Sequence, residues 1–228
     1  MTTIEVGKRH IRDINREILA ALKSGDEVTV TDTLSRHNLG IGLPEKGKIR
    51  FEGSVGYYCG GLNTGAEIEI ERNAGWAVGE GMSDGKITVG GYAGMSCGAA
   101  MTGGLIHVKG DAGPRCGVAM KDGTIVVEGK IGYQSGFMSH RGKIIALGGA
   151  GESCADALWE GEVWVAGPIE SLGTDVKVVE PTAEEVAEVD ALLDPLGLKD
   201  TSRDWRKMVS GQRLWYFESR DASAWLMI

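Results

Sequence analysis

Gly85-Lys86-Ile87-Thr88-Val89-Gly90-Gly91-Tyr92-Ala93-Gly94-Met95-Ser96-Cys97-Gly98-Ala99-Ala100-Met101-Thr102-Gly103 is followed without a gap by Gly104-Leu105-Ile106-His107-Val108-Lys109-Gly110-Asp111-Ala112-Gly113-Pro114-Arg115-Cys116-Gly117-Val118-Ala119-Met120-Lys121-Asp122. These are two copies of one 19-residue unit, and the same grid extends both ways, with units beginning at Gly47, Ala66, Gly85, Gly104, Gly123, Gly142 and Gly161. The third position reads Ile49, Ile68, Ile87, Ile106, Ile125, Ile144 and Val163, and the fifth reads Phe51, Ile70, Val89, Val108, Val127, Ala146 and Val165. Alternation of this kind predicts one short strand per unit. Of the 29 glycines between Gly47 and Gly167, 23 fall on positions one, seven, ten and fourteen. A glycine held in a strand or turn costs about 0.5–1 kcal/mol relative to alanine, so a backbone keeps so many only where it needs them. Two needs fit: positive φ at corners, and absence of Cβ where one coil lies on the next at about 4.8 Å. No single unit can bury its own Ile and Val, but seven stacked units form continuous ladders. The fold class expected is therefore all-β, a parallel β-helix of about seven coils.

The composition agrees. Gly makes up 36 of the 228 residues, yet 42% of the chain is hydrophobic and 25% charged, which is a folded composition. The net charge of −8 disfavours nucleic acid and anionic membrane surfaces as partners. The N-terminal residues carry Arg, Asp and Glu with no apolar secretory core, so a cytoplasmic protein is expected.

Exposed strand edges at the two ends of a solenoid need covering. Residues 1–46 are expected to cover the first end. Ile11, Ile14, Ile18 and Leu22 have helical spacing that predicts an amphipathic helix ending before Gly25, Val28 and Val30 alternate as a strand, and His37-Asn38-Leu39-Gly40-Ile41-Gly42 reads as a half-coil leading into the repeat. At the other end the grid dissolves at Glu170 and Thr174, which with Ala155 mark the expected end of the β-helix, taken as residues 47–180. Residues 181–228 follow: Thr182 and Glu185 form a capping box for a helix through Leu193, stopped by Pro195 and Gly197. The tail is rich in aromatic residues, with Trp205, Trp215, Tyr216, Phe217 and Trp225. Either it folds back on the solenoid or these rings anchor a partner subunit; the terminal Trp225-Leu226-Met227-Ile228 points to the second.

The residues that could carry chemistry read mostly as structure. Cys59, Cys97, Cys116 and Cys154 all occupy position thirteen, shared with Val78 and Ser135, which describes a small buried column; with no C-x-x-C pair, and the four strung along one axis, they do not surround a metal. In a cytosolic setting they are expected as reduced thiols. His10, His37, His107 and His140 are dispersed, with His37 in its glycine-flanked loop the most open to a role. Neither a G-x-G-x-x-G nor a Gly-Lys-Ser/Thr phosphate loop is present. Thr2, followed by a helix and a solenoid, lacks the layered setting of an N-terminal nucleophile. Position eleven carries Tyr57, Trp76, Met95, Pro114 and Tyr133, a column that is core if it points inward and a docking stripe if outward. No catalytic, cofactor-binding or metal-binding residue is assigned.

The pattern Gly-x-Ile-x-Val-x-Gly-x-x-Gly-x-x-x-Gly resembles the GXGXG domain, the right-handed parallel β-helix found at the C-terminal end of the large glutamate synthase chain and in one of the chains of formylmethanofuran dehydrogenase. With His37–Leu43, Val55–Gly61 and Leu214–Phe217 around it, the chain is similar to free-standing versions of that domain, such as the corresponding subunit of N-methylglutamate synthase (methylamine–glutamate N-methyltransferase). The resemblance implies a non-catalytic subunit that holds a glutamine-amidotransferase-like subunit and an FMN-binding subunit together. FMN and an iron–sulfur cluster would sit on that partner and none on this chain. Glutamate synthase itself, or formylmethanofuran dehydrogenase, is the alternative setting. A hexapeptide acyltransferase or a pectin-degrading β-helix fits less well, since the former winds in coils of 18 residues with a histidine between subunits and the latter carries surface carboxylate clusters.

Overall fold

A computed structural model describes residues 1–44 and 46–212. In chain order its elements are β1 (Thr2–Glu5), α1 (Ile11–Lys23), β2 (Val28–Thr31), β3 (Lys48–Phe51), β4 (Thr64–Ile70), β5 (Asp84–Val89), β6 (Thr102–Val108), β7 (Asp122–Val127), β8 (Lys130–Ile131), β9 (Lys143–Ala146), β10 (Gly149–Ala150), β11 (Glu162–Val165), β12 (Val176–Val179), α2 (Ala183–Leu193) and β13 (Arg206–Ser210). One sheet runs the length of the molecule in the order β1-β2-β3-β4-β5-β6-β7-β9-β11-β13-β12. It is parallel from β1 to β11, and the repeat sets its register: Ile49 faces Ile68, then Ile87, Ile106, Ile125, Ile144 and Val163. Each of these is at most 2% exposed. Positions five, nine, thirteen and seventeen supply the other inward columns, among them Phe51 and Val89, Ala74, Ala93 and Ala112, the four cysteines, and stacked Met82, Met101 and Met120. This is the parallel β-solenoid of about seven turns that the repeat predicts.

The glycine columns divide according to the two needs. At positions one and fourteen of the middle coils φ is positive, as at Gly98 (+65°) and Gly123 (+98°). At positions seven and ten the obstacle is space: a Cβ on Gly94 would lie 2.7 Å from the carbonyl carbon of Gly75, and one on Gly167 would lie 2.3 Å from the oxygen of Gly148. The corner contains a surprise as well. Position twelve is left-handed in every coil from Tyr58 to Ser153 (φ +52° to +63°) without a single glycine, and Ala100, Ala119 and Met138 at position sixteen are left-handed too. Each costs about 1–2 kcal/mol in strain. Hydrogen bonds between coils offset it. The amides at positions twelve and sixteen donate forward, Ser96 to Pro114 and Ala100 to Val118, while the amide at fourteen donates backward, Gly98 to Val78, all at 2.8–2.9 Å.

At the first end α1 occupies Ile11–Lys23 as its spacing predicts, burying Ile14, Ile18 and Leu22. Asn15 on this helix accepts from the Gly40 amide and donates to the Asn38 carbonyl, both at 2.8 Å, so it satisfies the bare edge of the half-coil. That half-coil pairs with the first full coil, with Gly60 donating to Leu39 and Gly56 to Arg36. β1, which no pattern in the sequence announces, extends the sheet beyond β2.

The second end has three features that the glycine grid does not announce. The winding does not stop at Ala155 or Glu170: it continues with one residue fewer, Leu172 bridging Cys154 at a spacing of 18, and Gly173 takes over the fourteenth role by donating to the Cys154 carbonyl. The exposed edge of β11 is covered by β13, which runs antiparallel between β11 and β12. And α2, with its Thr182/Glu185 capping box in place, lies against the outer face of the sheet instead of across the solenoid's end. Position four explains why. It reads Arg50, Glu69, Thr88 and His107, then Val126, Ile145 and Trp164, and these last three are fully buried with Val189, Leu193 and Trp205 in a second core.

An ion cluster ties this second core together. Glu162 accepts from Lys143 at 2.8 Å, from Lys207 at 2.7 Å and from the Trp164 indole at 3.1 Å, and Lys207 also reaches Glu185 on α2 at 2.7 Å. Burial raises the Glu162 carboxyl pKa, but the hydrogen bonds from Lys143, Lys207 and Trp164 outweigh it, and the group sits below its ordinary value.

Gly94→Ala is expected to destabilise the chain by about 3 kcal/mol in urea unfolding because its Cβ would meet the Gly75 carbonyl carbon and oxygen, which are backbone, as well as the Trp76 ring, whereas Gly197→Ala, with nothing within 4 Å, costs only about 1 kcal/mol for its positive φ. Because the Glu162 pKa is depressed on folding, its contribution is complete above the unfolded value of about 4.3 and is lost as pH falls through the folded one. Near-UV circular dichroism of the Trp164–Trp205 pair is therefore expected to weaken on acidification, and Glu162→Gln to cost on the order of 3 kcal/mol at pH 7 by leaving Lys207 without a full partner.

Candidate interaction surfaces

The four cysteines are free and fully buried, in the column their spacing predicts. Burial pushes the Cys59 thiol far above its usual range and Cys154 up to about 12, while Cys116 is raised by its hydrogen bond with Cys97 and by burial. Thiols held neutral in this way are poor nucleophiles and poor metal ligands.

The histidines fall into different kinds of place. His10 caps α1, accepting from the Arg12 amide. His140 stacks on Trp159 with centroids 5.4 Å apart. His107, 4% exposed, is 2.9 Å from Glu128 through Nε2, a carboxylate partner 21 residues away in sequence that only stacking brings close. Burial lowers the His107 pKa more than Glu128 and its hydrogen bond raise it. Among the described residues no hydroxyl or thiol hydrogen-bonds to this pair, and no group of three His, Cys, Asp or Glu side chains is placed to hold a metal ion.

Position eleven points outward. Tyr57, Trp76 and Tyr133 are 43–49% exposed. His37 continues the column one coil earlier: its ring lies 4.3 Å from Tyr57, which lies 4.8 Å from Trp76 at an angle of 4°. The Tyr57 amide donates to His37 Nδ1 at 2.9 Å, which fixes the first ring of the stack. Along the other side of the corner, position sixteen exposes Leu62 and Met138 between small residues. The face is thus an apolar, partly aromatic stripe built on backbone that is hydrogen-bonded in both directions.

The outer face of the sheet has a different character over the first coils. A shallow groove of about 450 Å³ is lined by Lys48, Arg50, Lys86 and Lys109 with Glu27, Glu67 and Glu69 among them. Arg50 pairs with Glu69 at 2.7 Å and Lys48 with Glu27 at 3.8 Å, so much of the charge is matched within the groove.

Of the tail residues expected to anchor a partner, Trp205 does not face one. It is 4% exposed and packs edge-on against Trp164 at 6.1 Å, because the outer face of the last coils is apolar and needs this ring as its lid. Trp215, Tyr216, Phe217 and Trp225 lie outside the described residues. No helix among the described residues is long and apolar enough to cross a membrane.

Comparison with known proteins agrees with this architecture. The family model described as GXGXG motif matches residues 7–192, from just before α1 to the end of α2. Protein GlxC of Rhizobium meliloti (strain 1021) is 43% identical over 228 residues, which cover 99% of this chain and all of the relative. The glycine columns, the stacked coils and these two matches together place the chain in the GXGXG family.

Proposed function

We propose that the chain is a structural subunit of a glutamate synthase-like enzyme complex of the N-methylglutamate synthase type, and that it contributes no catalytic residue of its own. In this reading the complex converts L-glutamate and methylamine to N-methyl-L-glutamate and ammonia. A glutamine-amidotransferase-like subunit and an FMN-binding subunit with an iron–sulfur cluster carry the chemistry, and this chain holds them in fixed relation. It binds neither flavin nor cluster.

The observation that carries this reading is where the polar and reactive groups point. The thiols face the interior, the ion pairs stitch the chain to itself, and a long apolar stripe with little chemistry is left on the surface. Stiffness is what such a fold offers a complex. Each coil is hydrogen-bonded to both neighbours, so bending the solenoid breaks several bonds at once, and a partner docked at one coil keeps its distance from a partner docked at another.

Purification after co-expression with the two partner subunits tests it. Flavin and iron–sulfur absorbance is expected to travel with this chain in one peak, with methylamine-dependent N-methylglutamate formation lost when the chain is omitted and restored when it is added back. Elution of the chain by itself, together with undiminished activity in its absence, overturns the proposal.

A further inference from the structure

α1 finishes the first end of the solenoid but leaves one stretch of the half-coil's edge open. In the full coils the carbonyl at position fifteen accepts from the position-sixteen amide of the coil before: Gly61 from Gly42, Glu80 from Leu62, Ala99 from Gly81 and Val118 from Ala100, all at 2.8 Å. Ile41 is the residue in that place on the half-coil, which has no coil before it, and no amide among the described residues donates to its carbonyl. Pro44, in line with Thr64, lacks the N–H with which Thr64 reaches back to the Leu43 carbonyl. Asn15 already satisfies Gly40 and Asn38, so the edge beyond it offers an acceptor and no donor.

The space that a preceding corner would fill is a groove of about 440 Å³ between α1 and the half-coil, with Ile11, Leu19, Ile41 and Leu43 as its apolar lining. Arg12 and Arg16 line it from the exposed side of α1. Arg12 makes no ion pair among the described residues, and Arg16 has only Asp13 at 3.5 Å, with both of those side chains more than half exposed. From Gly7 to Lys23 the chain carries five cations against two carboxylates, although its net charge is −8. Negative charge is therefore attracted to this end, and the open carbonyl calls for a backbone N–H next to an apolar side chain.

We propose that this groove docks an extended acidic segment of one of the partner subunits, with an apolar side chain between Ile11, Leu19 and Ile41, a backbone N–H donating to the Ile41 carbonyl, and a carboxylate on Arg12 and Arg16. The segment takes the place of the missing corner, as an added strand does at the open edge of a sheet. This site rests on the scaffold role proposed above and adds to it an anchoring point at the first end.

Leu19→Cys provides a single reporter, because the four native thiols are buried in the core. The Leu19→Cys chain by itself is expected to react rapidly with a maleimide, and labelling is expected to slow severalfold in the complex co-purified with the amidotransferase-like and FMN-binding subunits. Arg12→Glu/Arg16→Glu, which alters exposed side chains only, is expected to lower the yield of a partner in that co-purification severalfold with circular dichroism unchanged, and Arg12→Lys/Arg16→Lys to keep most of it. Unchanged labelling in the complex, or partners retained equally by the Glu variant, overturns the site while the scaffold role stands. Failure of the unaltered chain to form the complex overturns both. Slow labelling of the chain by itself overturns the site as well: protection that disappears on dilution assigns the groove to a second copy, and protection that persists assigns it to the chain's own covering.

Discussion

Every part of the molecule depends on hydrogen bonding between successive coils at a fixed period. When residue i bonds to the coil before and the coil after, the same side-chain type recurs at the same place in each, and a single insertion would shift every later column out of line. The chain tolerates 23 on-grid glycines and a set of left-handed non-glycine corners because those bonds need this backbone path. At position ten the requirement is simple exclusion of volume: glycine carbonyls of one coil lie where the Cβ of the next would be. The strain at positions twelve and sixteen is spread evenly over the stack, and each strained amide has its own acceptor in the next coil.

A solenoid made this way has two ends and three sides, and the chain treats them differently. The first end is finished by a helix with one well-placed Asn; the second is finished by an antiparallel strand that breaks the parallel pattern and cannot be extended by another coil. On the long sheet the outer face changes from charged to apolar between His107 and Val126, and α2 with Trp205 covers the apolar part. The Glu162 cluster lies at the far end of that apolar part, on β9, β11 and β13. Its two lysines and indole come from separate elements, so it fixes how α2 and β13 sit on the coils, a role for buried ion pairs that does not require a large net contribution to stability.

The function inferred for the chain follows from what this architecture does with its surface. Among the described residues the most strongly shifted groups are thiols that face the core. The reachable features of the described residues include a charge-matched groove and an apolar aromatic stripe, which are surfaces for packing. A spacing element in a larger enzyme uses those features directly.

The strands of the repeat, the inward ladders, the cysteine column, α1 and the capping box of α2 were legible in the residues, because each depends on local periodicity or on a short-range hydrogen bond. β13 was not, since Arg206–Ser210 has no repeat partner and is a strand only because β11 offers it an edge. The left-handed corners at positions twelve and sixteen were hidden for the opposite reason: residues as different as Tyr58, Arg115 and Ser153 occupy them, so composition leaves no trace. The one-residue shortening at Leu172 could have been found by sliding the grid until Gly173 fell in the glycine column. The Val126, Ile145 and Trp164 series was visible as lost alternation, and it foretells the cover that Trp205 supplies. By itself, then, the sequence determined the winding, because a 19-residue period is a one-dimensional property. Which way position eleven faces, what closes the last coil, and the meeting of His107 with Glu128 were decided only in three dimensions, where residues from different coils and different elements compete for the same space.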